Sequence, residues 1–137
     1  MSDFGKLLTA VITPFDNNGV LNTDTLWRLC KKLVHEKSDG LVLSGTTGES
    51  PNLTKEDRKI IYSTAKDSVG DKAKIIAGTG TYSTKESIEY TKMANDIGVD
   101  GIMIATPYYS KPSQFGILKH FEEVSNNTDL PIMAYNI

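Results

Sequence analysis

The chain has 137 residues, enough for one ordinary domain with its own core, and 39% hydrophobic against 23% charged residues is a globular balance. A net charge of −2 without a basic run or stripe leaves no electrostatic footprint for nucleic acid. No stretch approaches the roughly 18 apolar residues of a membrane span.

The N-terminal run Leu7-Leu8-Thr9-Ala10-Val11-Ile12-Thr13-Pro14 follows Lys6. A signal peptide would need a small-residue cleavage site after it, and none follows, so residues 6–13 read as a first strand. Residues 23–36 read as a helix, because Leu26, Leu29, Cys30, Leu33 and Val34 recur at helical spacing behind Asn22 as a cap. Cys30 is the single cysteine, so no intramolecular disulfide is possible. On that apolar face it reads as a small core residue, and a reducing cytoplasm is the expected setting.

Residues 40–43 form a second strand. Residues 54–69 form a second helix, opened by Thr54 and Asp57 as a capping box, with Ile60, Ile61, Thr64, Ala65 and Val69 inward. A third strand at 74–77 leads to a helix over 83–97, opened by Ser83 and Glu86 as a second capping box. A fourth strand spans 101–105. A fourth helix spans 113–125, with Ile117, Leu118, Phe121 and Val124 on one side, and a fifth strand spans 131–136.

The strands are continuous apolar runs, which predicts a parallel sheet covered on both faces, and the intervening helices demand the same. Val11-Ile12-Thr13-Pro14 is echoed by Ile104-Ala105-Thr106-Pro107, and Gly45-Thr46-Thr47-Gly48 by Gly78-Thr79-Gly80-Thr81. Polar chemistry repeated past successive strands is the pattern of the catalytic face of a β/α barrel. A doubly wound sheet could close with five strands but would add a helix over the last one. A barrel needs eight strand–helix units and about 250 residues. The expectation is therefore an α/β fold, a (β/α)8 TIM barrel. Residues 1–137 would be the N-terminal part of one domain, about five strands and four helices, ending before the sixth strand.

Gly45-Thr46-Thr47-Gly48-Glu49-Ser50 is the most informative segment. It sets two hydroxyls and several backbone N–H groups at the carboxyl end of a strand, between glycines that permit a sharp turn. Small anions bind at such places in α/β folds. The segment lacks the Gly-Lys-Ser/Thr ending of a Walker loop, and Gly78-Thr79-Gly80 lacks the third glycine of a dinucleotide fingerprint. A carboxylate site suits adjacent threonines better, while a tight turn without ligand fits the composition equally. Thr106-Pro107-Tyr108-Tyr109 places two phenols that cannot both enter one core. One of them should face solvent, a site or a partner subunit. Tyr135, near the end of the fifth strand, is either a buried spacer or a general acid/base. His35 and His120 lie in helices without metal-ligand spacing. Asp16, Glu49 and Asp100 form no evident pair, and Glu49 reads as an anchor for its loop through backbone hydrogen bonds.

Together, Ala10-Val11-Ile12-Thr13-Pro14-Phe15, Gly45-Thr46-Thr47-Gly48-Glu49-Ser50, Ala77-Gly78-Thr79-Gly80, Thr106-Pro107-Tyr108-Tyr109 and Tyr135-Asn136 resemble the successive signatures of the dihydrodipicolinate synthase family, pyruvate-dependent class I aldolases built on TIM barrels. The resemblance implies Schiff-base condensation of pyruvate with aspartate semialdehyde in the diaminopimelate and lysine pathway, without metal or cofactor. It implies that Tyr135 donates and accepts protons near the Schiff base, that Thr46 links Tyr135 to Tyr109, and that Thr47 holds the pyruvate carboxylate. Tyr109 would reach the site of a neighbouring subunit, in a homodimer or homotetramer. Ser50, Glu86 and Tyr108 match a lysine-responsive allosteric site. Lys55 and Arg58 stand where inhibited members carry histidines, and Tyr82 where they carry asparagine. Two fixed cations would repel a lysine ligand.

The resemblance puts the Schiff-base lysine on the sixth strand, outside this chain, and the arginine expected after Tyr-Asn is also absent. None of Lys6, Lys72, Lys74 and Lys111 matches the nucleophile. The 137 residues alone are expected to be inactive, the activity belonging to a longer parent. The readings left beside this one are another pyruvate aldolase such as N-acetylneuraminate lyase, a non-catalytic half-barrel that binds an anion or serves assembly, and a flavodoxin-like nucleotide binder.

Overall fold

Five parallel strands hydrogen-bond in chain order, and each of the first four is followed by the helix that carries the chain back to the start of the next. The computed structural model describes residues 4–136. Its elements are β1 (Leu8–Ala10), α1 (Thr23–His35), β2 (Gly40–Leu43), α2 (Lys55–Val69), β3 (Lys74–Gly78), α3 (Thr84–Ile97), β4 (Gly101–Ala105), α4 (Gln114–Ser125) and β5 (Ile132–Tyr135). A doubly wound sheet reverses its strand order at a switch point. Here the order runs β1-β2-β3-β4-β5 without reversal, so every crossover goes the same way and the sheet is half of a barrel.

Alternation along the strands divides the sheet into two faces. Leu41, Leu43, Ile75, Ala77, Ile102 and Ile104 enter one core with Leu26, Cys30, Ile61, Tyr62, Ala65, Ala94 and Val124 from the helices. The register places Leu41 beside Ile75 and Ala77 beside Ile102, so these side chains form a continuous layer. Val42, Ile76 and Gly78 are buried on the opposite face, which by the alternation also carries the half-buried Met103, Ala105 and Tyr135.

Several expectations shift by a residue or more. The first strand shortens to Leu8–Ala10. The N–H groups of Lys6 and Leu7 bond to the Asp39 carboxylate at 2.7 and 2.8 Å rather than to a neighbouring strand. Thr54 and Ser83 are caps outside their helices. The Thr54–Asp57 capping box closes in both directions, but Ser83–Glu86 does not: Ser83 Oγ accepts from Glu86 N, while the Glu86 carboxylate faces Thr81 Oγ1 at 3.4 Å. Ile60 and Leu118 are not inward, being 36% and 54% exposed.

At the amino ends of the strands, Asp100 accepts from Ile75 N and from Lys66 and Lys74. Burial opposes its charged form, but those hydrogen bonds and the two ammonium groups outweigh burial and hold the carboxyl below its usual value. This network staples the end of the sheet away from the site described next.

Candidate active site

The carboxyl ends of β2, β3, β4 and β5 enclose a cavity of about 200 Å³ lined by Ser44, Gly45, Thr46, Ser50, Gly78, Gly80, Met103, Ala105, Tyr108 and Tyr135, among others. Tyr135 reaches it because residue 135 shares the inner face with Met103 and Ala105, and pairs in register with Ala105. Thr46 stands at its rim, exposed; Thr47 is exposed too but does not line it. Among the described residues no lysine lines the cavity.

Two glycines allow the strand ends to approach this closely. A Cβ on Gly78 would lie 2.4 Å from the Ser44 carbonyl oxygen, and one on Gly80 2.3 Å from Ala105 N. Backbone strain gathers at the same end: Ser44, Glu49, Tyr109 and Lys111 all have left-handed φ angles, between 45° and 66°. Non-glycine residues adopt that region rarely, and such outliers concentrate at functional loops.

The 45–50 loop is tied from below and free above. Thr13 Oγ1 donates to Gly48 O at 2.7 Å in a buried contact. Ser50 N donates to Gly45 O, and Glu49 N to Thr46 O. Arg58, from α2, donates to Ser50 O, Ser50 Oγ and Gly78 O at 2.7–2.8 Å. Tyr62 adds a second hydrogen bond to Gly78 O at 2.9 Å. Glu49 anchors the loop differently from the expectation: its carboxylate accepts from the Asn52 side-chain amide, 3.0 Å, rather than from backbone.

The two tyrosines after β4 part company. Tyr108 is half-buried at the cavity, its ring edge-on to Tyr82 with centroids 5.6 Å apart, and burial pushes its phenol above the ordinary value. Tyr109 is 96% exposed, with φ +66°. Thus Thr46 and Tyr135 share a cavity while Tyr109 points away from it, and no hydrogen bond joins the three among the described residues. The residues matched to an allosteric site lie at the same end. Ser50 is engaged by Arg58, Glu86 faces Thr81, and Tyr108 packs on Tyr82.

Ser44, Arg58 and Thr13 shape this site although the sequence reading assigns none of them a part in it, Arg58 being noted only where inhibited relatives carry a histidine. An arginine near a helix start ordinarily reads as solvated, and nothing local signals that Arg58 is only 2% exposed. Ser44 gave one usable signal, a small polar residue between an apolar run and a glycine.

No described helix is long and apolar enough to cross a membrane. Residues 3–137 match the model of the dihydrodipicolinate synthetase family. The chain is 51% identical over 135 residues to the 4-hydroxy-tetrahydrodipicolinate synthase of Desulforudis audaxviator, covering 98% of this chain and 46% of that protein. It superposes on a dihydrodipicolinate synthase crystal structure from Bacillus anthracis with a TM-score of 0.96 and 43% identity, covering 99% of this chain and 47% of the other. The N-acetylneuraminate lyase of Mycoplasma synoviae is similar at 30% identity and a TM-score of 0.91, with 98% and 47% covered. The chain spans about half the length of the relatives it matches. With five parallel strands in barrel order and the cavity at their carboxyl ends, it belongs to the dihydrodipicolinate synthetase family.

Proposed function

We propose that these residues are the N-terminal part of a single TIM-barrel domain, in a longer protein that condenses pyruvate with aspartate semialdehyde through a Schiff base. The observation that carries this reading is that Thr46 and Tyr135 share one cavity at the carboxyl ends of the strands. A lysine amine, supplied from outside the 137 residues, adds to the pyruvate ketone. Water leaves to give an imine, and loss of a C3 proton gives the enamine that attacks the aldehyde.

Each step moves a proton. Tyr135 is the group that donates and accepts it, and Thr46 connects Tyr135 to a Tyr109 phenol. Hydroxyls in a hydrogen-bonded chain can pass protons without a fixed charge. Tyr109, exposed and held in a left-handed conformation, suits a contact across a subunit interface. The relay is then completed in a homodimer, or in a homotetramer of dimers. Thr47 offers its hydroxyl and N–H to the pyruvate carboxylate. The setting is the cytoplasm, where pyruvate and the aldehyde are both available, and the reaction as drawn needs no cofactor.

Incubation of the full-length protein with pyruvate and each aldehyde, with product identification, tests this. A heterocyclic product from aspartate semialdehyde is expected. The similarity to N-acetylneuraminate lyase supports a second reading within the same chemistry, in which the aldehyde is an amino sugar. A sialic acid formed from N-acetylmannosamine would establish that reading instead.

A further inference from the structure

Arg58 is a cation 2% exposed, and among the described residues no carboxylate pairs with it. Leaving water is costly for such a charge unless hydrogen bonds and favourable dipoles replace it. Two carbonyls and a hydroxyl do so, at 2.7–2.8 Å, and the guanidinium carbon lies 4.6 Å from the centre of the Tyr90 ring. Nε is buried without a partner.

Its three acceptors belong to two residues in different parts of the cavity wall. Ser50 ends the 45–50 loop, and Gly78 ends β3. The guanidinium fork therefore fixes the gap between them, which a lysine could not do with one compact ammonium group. Thr13 holds the same loop at Gly48. Thr46 and Thr47 lead into these two ties, and among the described residues their exposed side chains make no protein hydrogen bond.

We propose that Arg58 is a positioning residue for the pyruvate site, setting where Thr46 and Thr47 stand although it touches no substrate itself. This rests on the proposed condensation reaction. Arg58→Met, Arg58→Lys and Ser50→Ala are made in the full-length protein, and active sites are counted by borohydride-trapped pyruvate. With kcat taken per labelled site, Arg58→Met should raise the KM for pyruvate about tenfold, the loss expected when one oriented contact is blurred. Arg58→Lys should recover only part of it. Ser50→Ala should have a smaller effect, not additive with Arg58→Met, because both remove the same hydrogen bond. Amide exchange across residues 45–50 should also quicken about tenfold in Arg58→Met, more than across α2.

An unchanged KM, with only fewer labelled sites or a lower melting temperature, would reduce Arg58 to a structural residue and overturn the proposal. Unchanged exchange across 45–50 overturns it independently of activity. A wild-type protein that traps no pyruvate overturns the condensation reading itself, and with it the role given to Arg58, whereas a wild type that traps it isolates the failure to Arg58.

Discussion

Replacing Gly78 by alanine probes the closeness on which the site depends. The added Cβ would sit 2.4 Å from Ser44 O and 2.8 Å from Leu43 O, both backbone atoms that cannot rotate aside. Relief requires the carboxyl ends of β2 and β3 to separate by about 1 Å, a large fraction of the tolerance of a strand spacing near 4.8 Å. Overpacking of this kind costs about 1–3 kcal/mol. The shift also draws Gly78 O away from Arg58 and Tyr62, now 2.8 and 2.9 Å distant. Each weakened hydrogen bond adds about 1 kcal/mol. The expected loss is about 3–5 kcal/mol, read as a lower urea midpoint in far-ultraviolet circular dichroism of the full-length protein. Gly116→Ala is the control, since its Cβ would meet only Pro112 Cβ at 3.3 Å and Ser113 Oγ at 3.5 Å. It lies in α4, where alanine is favoured by about 0.5–1 kcal/mol, so it should be neutral or slightly stabilising. A Gly78→Ala protein within about 1 kcal/mol of wild type would refute the packing argument.

Three other outcomes are expected. Tyr135→Phe should keep the fold but lower kcat by about 10²–10⁴, the usual worth of a positioned proton donor; a kcat within twofold of wild type would remove Tyr135 from the relay. Burial holds the His120 imidazole below its ordinary pKa of 6.5, with Nδ1 on Thr84 Oγ1 at 2.9 Å and Nε2 unpartnered. The unfolded chain then takes up a proton before the folded one does, so stability is full above about pH 6.5 and declines as pH falls towards the lowered folded value. Melting curves between pH 7.5 and 5.5 should show this decline, and His120→Gln should flatten it; an equal slope in both would exclude His120 as its source. Lysine should not inhibit, because the Arg58 guanidinium already occupies the oxygens of Ser50 and Lys55 adds a second cation on the same helix. Inhibition at cellular lysine concentrations would contradict that.

How far the fold could be read in advance depended on how local its causes are. The strands at Gly40–Leu43 and Gly101–Ala105 lie where their apolar runs predict, because burial on both faces leaves a continuous signal. The helix starts at Asn22, Thr54, Ser83 and Ser113 follow side chains that bond within three residues of themselves. Where a distant group intervenes, the pattern misleads. Asp39 takes the N–H groups of Lys6 and Leu7 from 33 and 32 residues away and shortens β1 at its start, and Thr81 draws Glu86 out of its capping box. The burial of Arg58 depends on Ser50, Gly78 and Tyr90 meeting in space, which no local spacing announces. The cavity could be foreseen in part for the same reason. Thr46 and Tyr135 each follow or end an apolar strand, but that they face one space is a property of the sheet's winding and alternation.

The most direct test is intact mass of the full-length protein after borohydride reduction in pyruvate, followed by peptide mapping. One reduced pyruvyl adduct per chain, on a lysine outside residues 1–137, is the predicted result. No adduct, or an adduct on a lysine within these residues, would contradict the account.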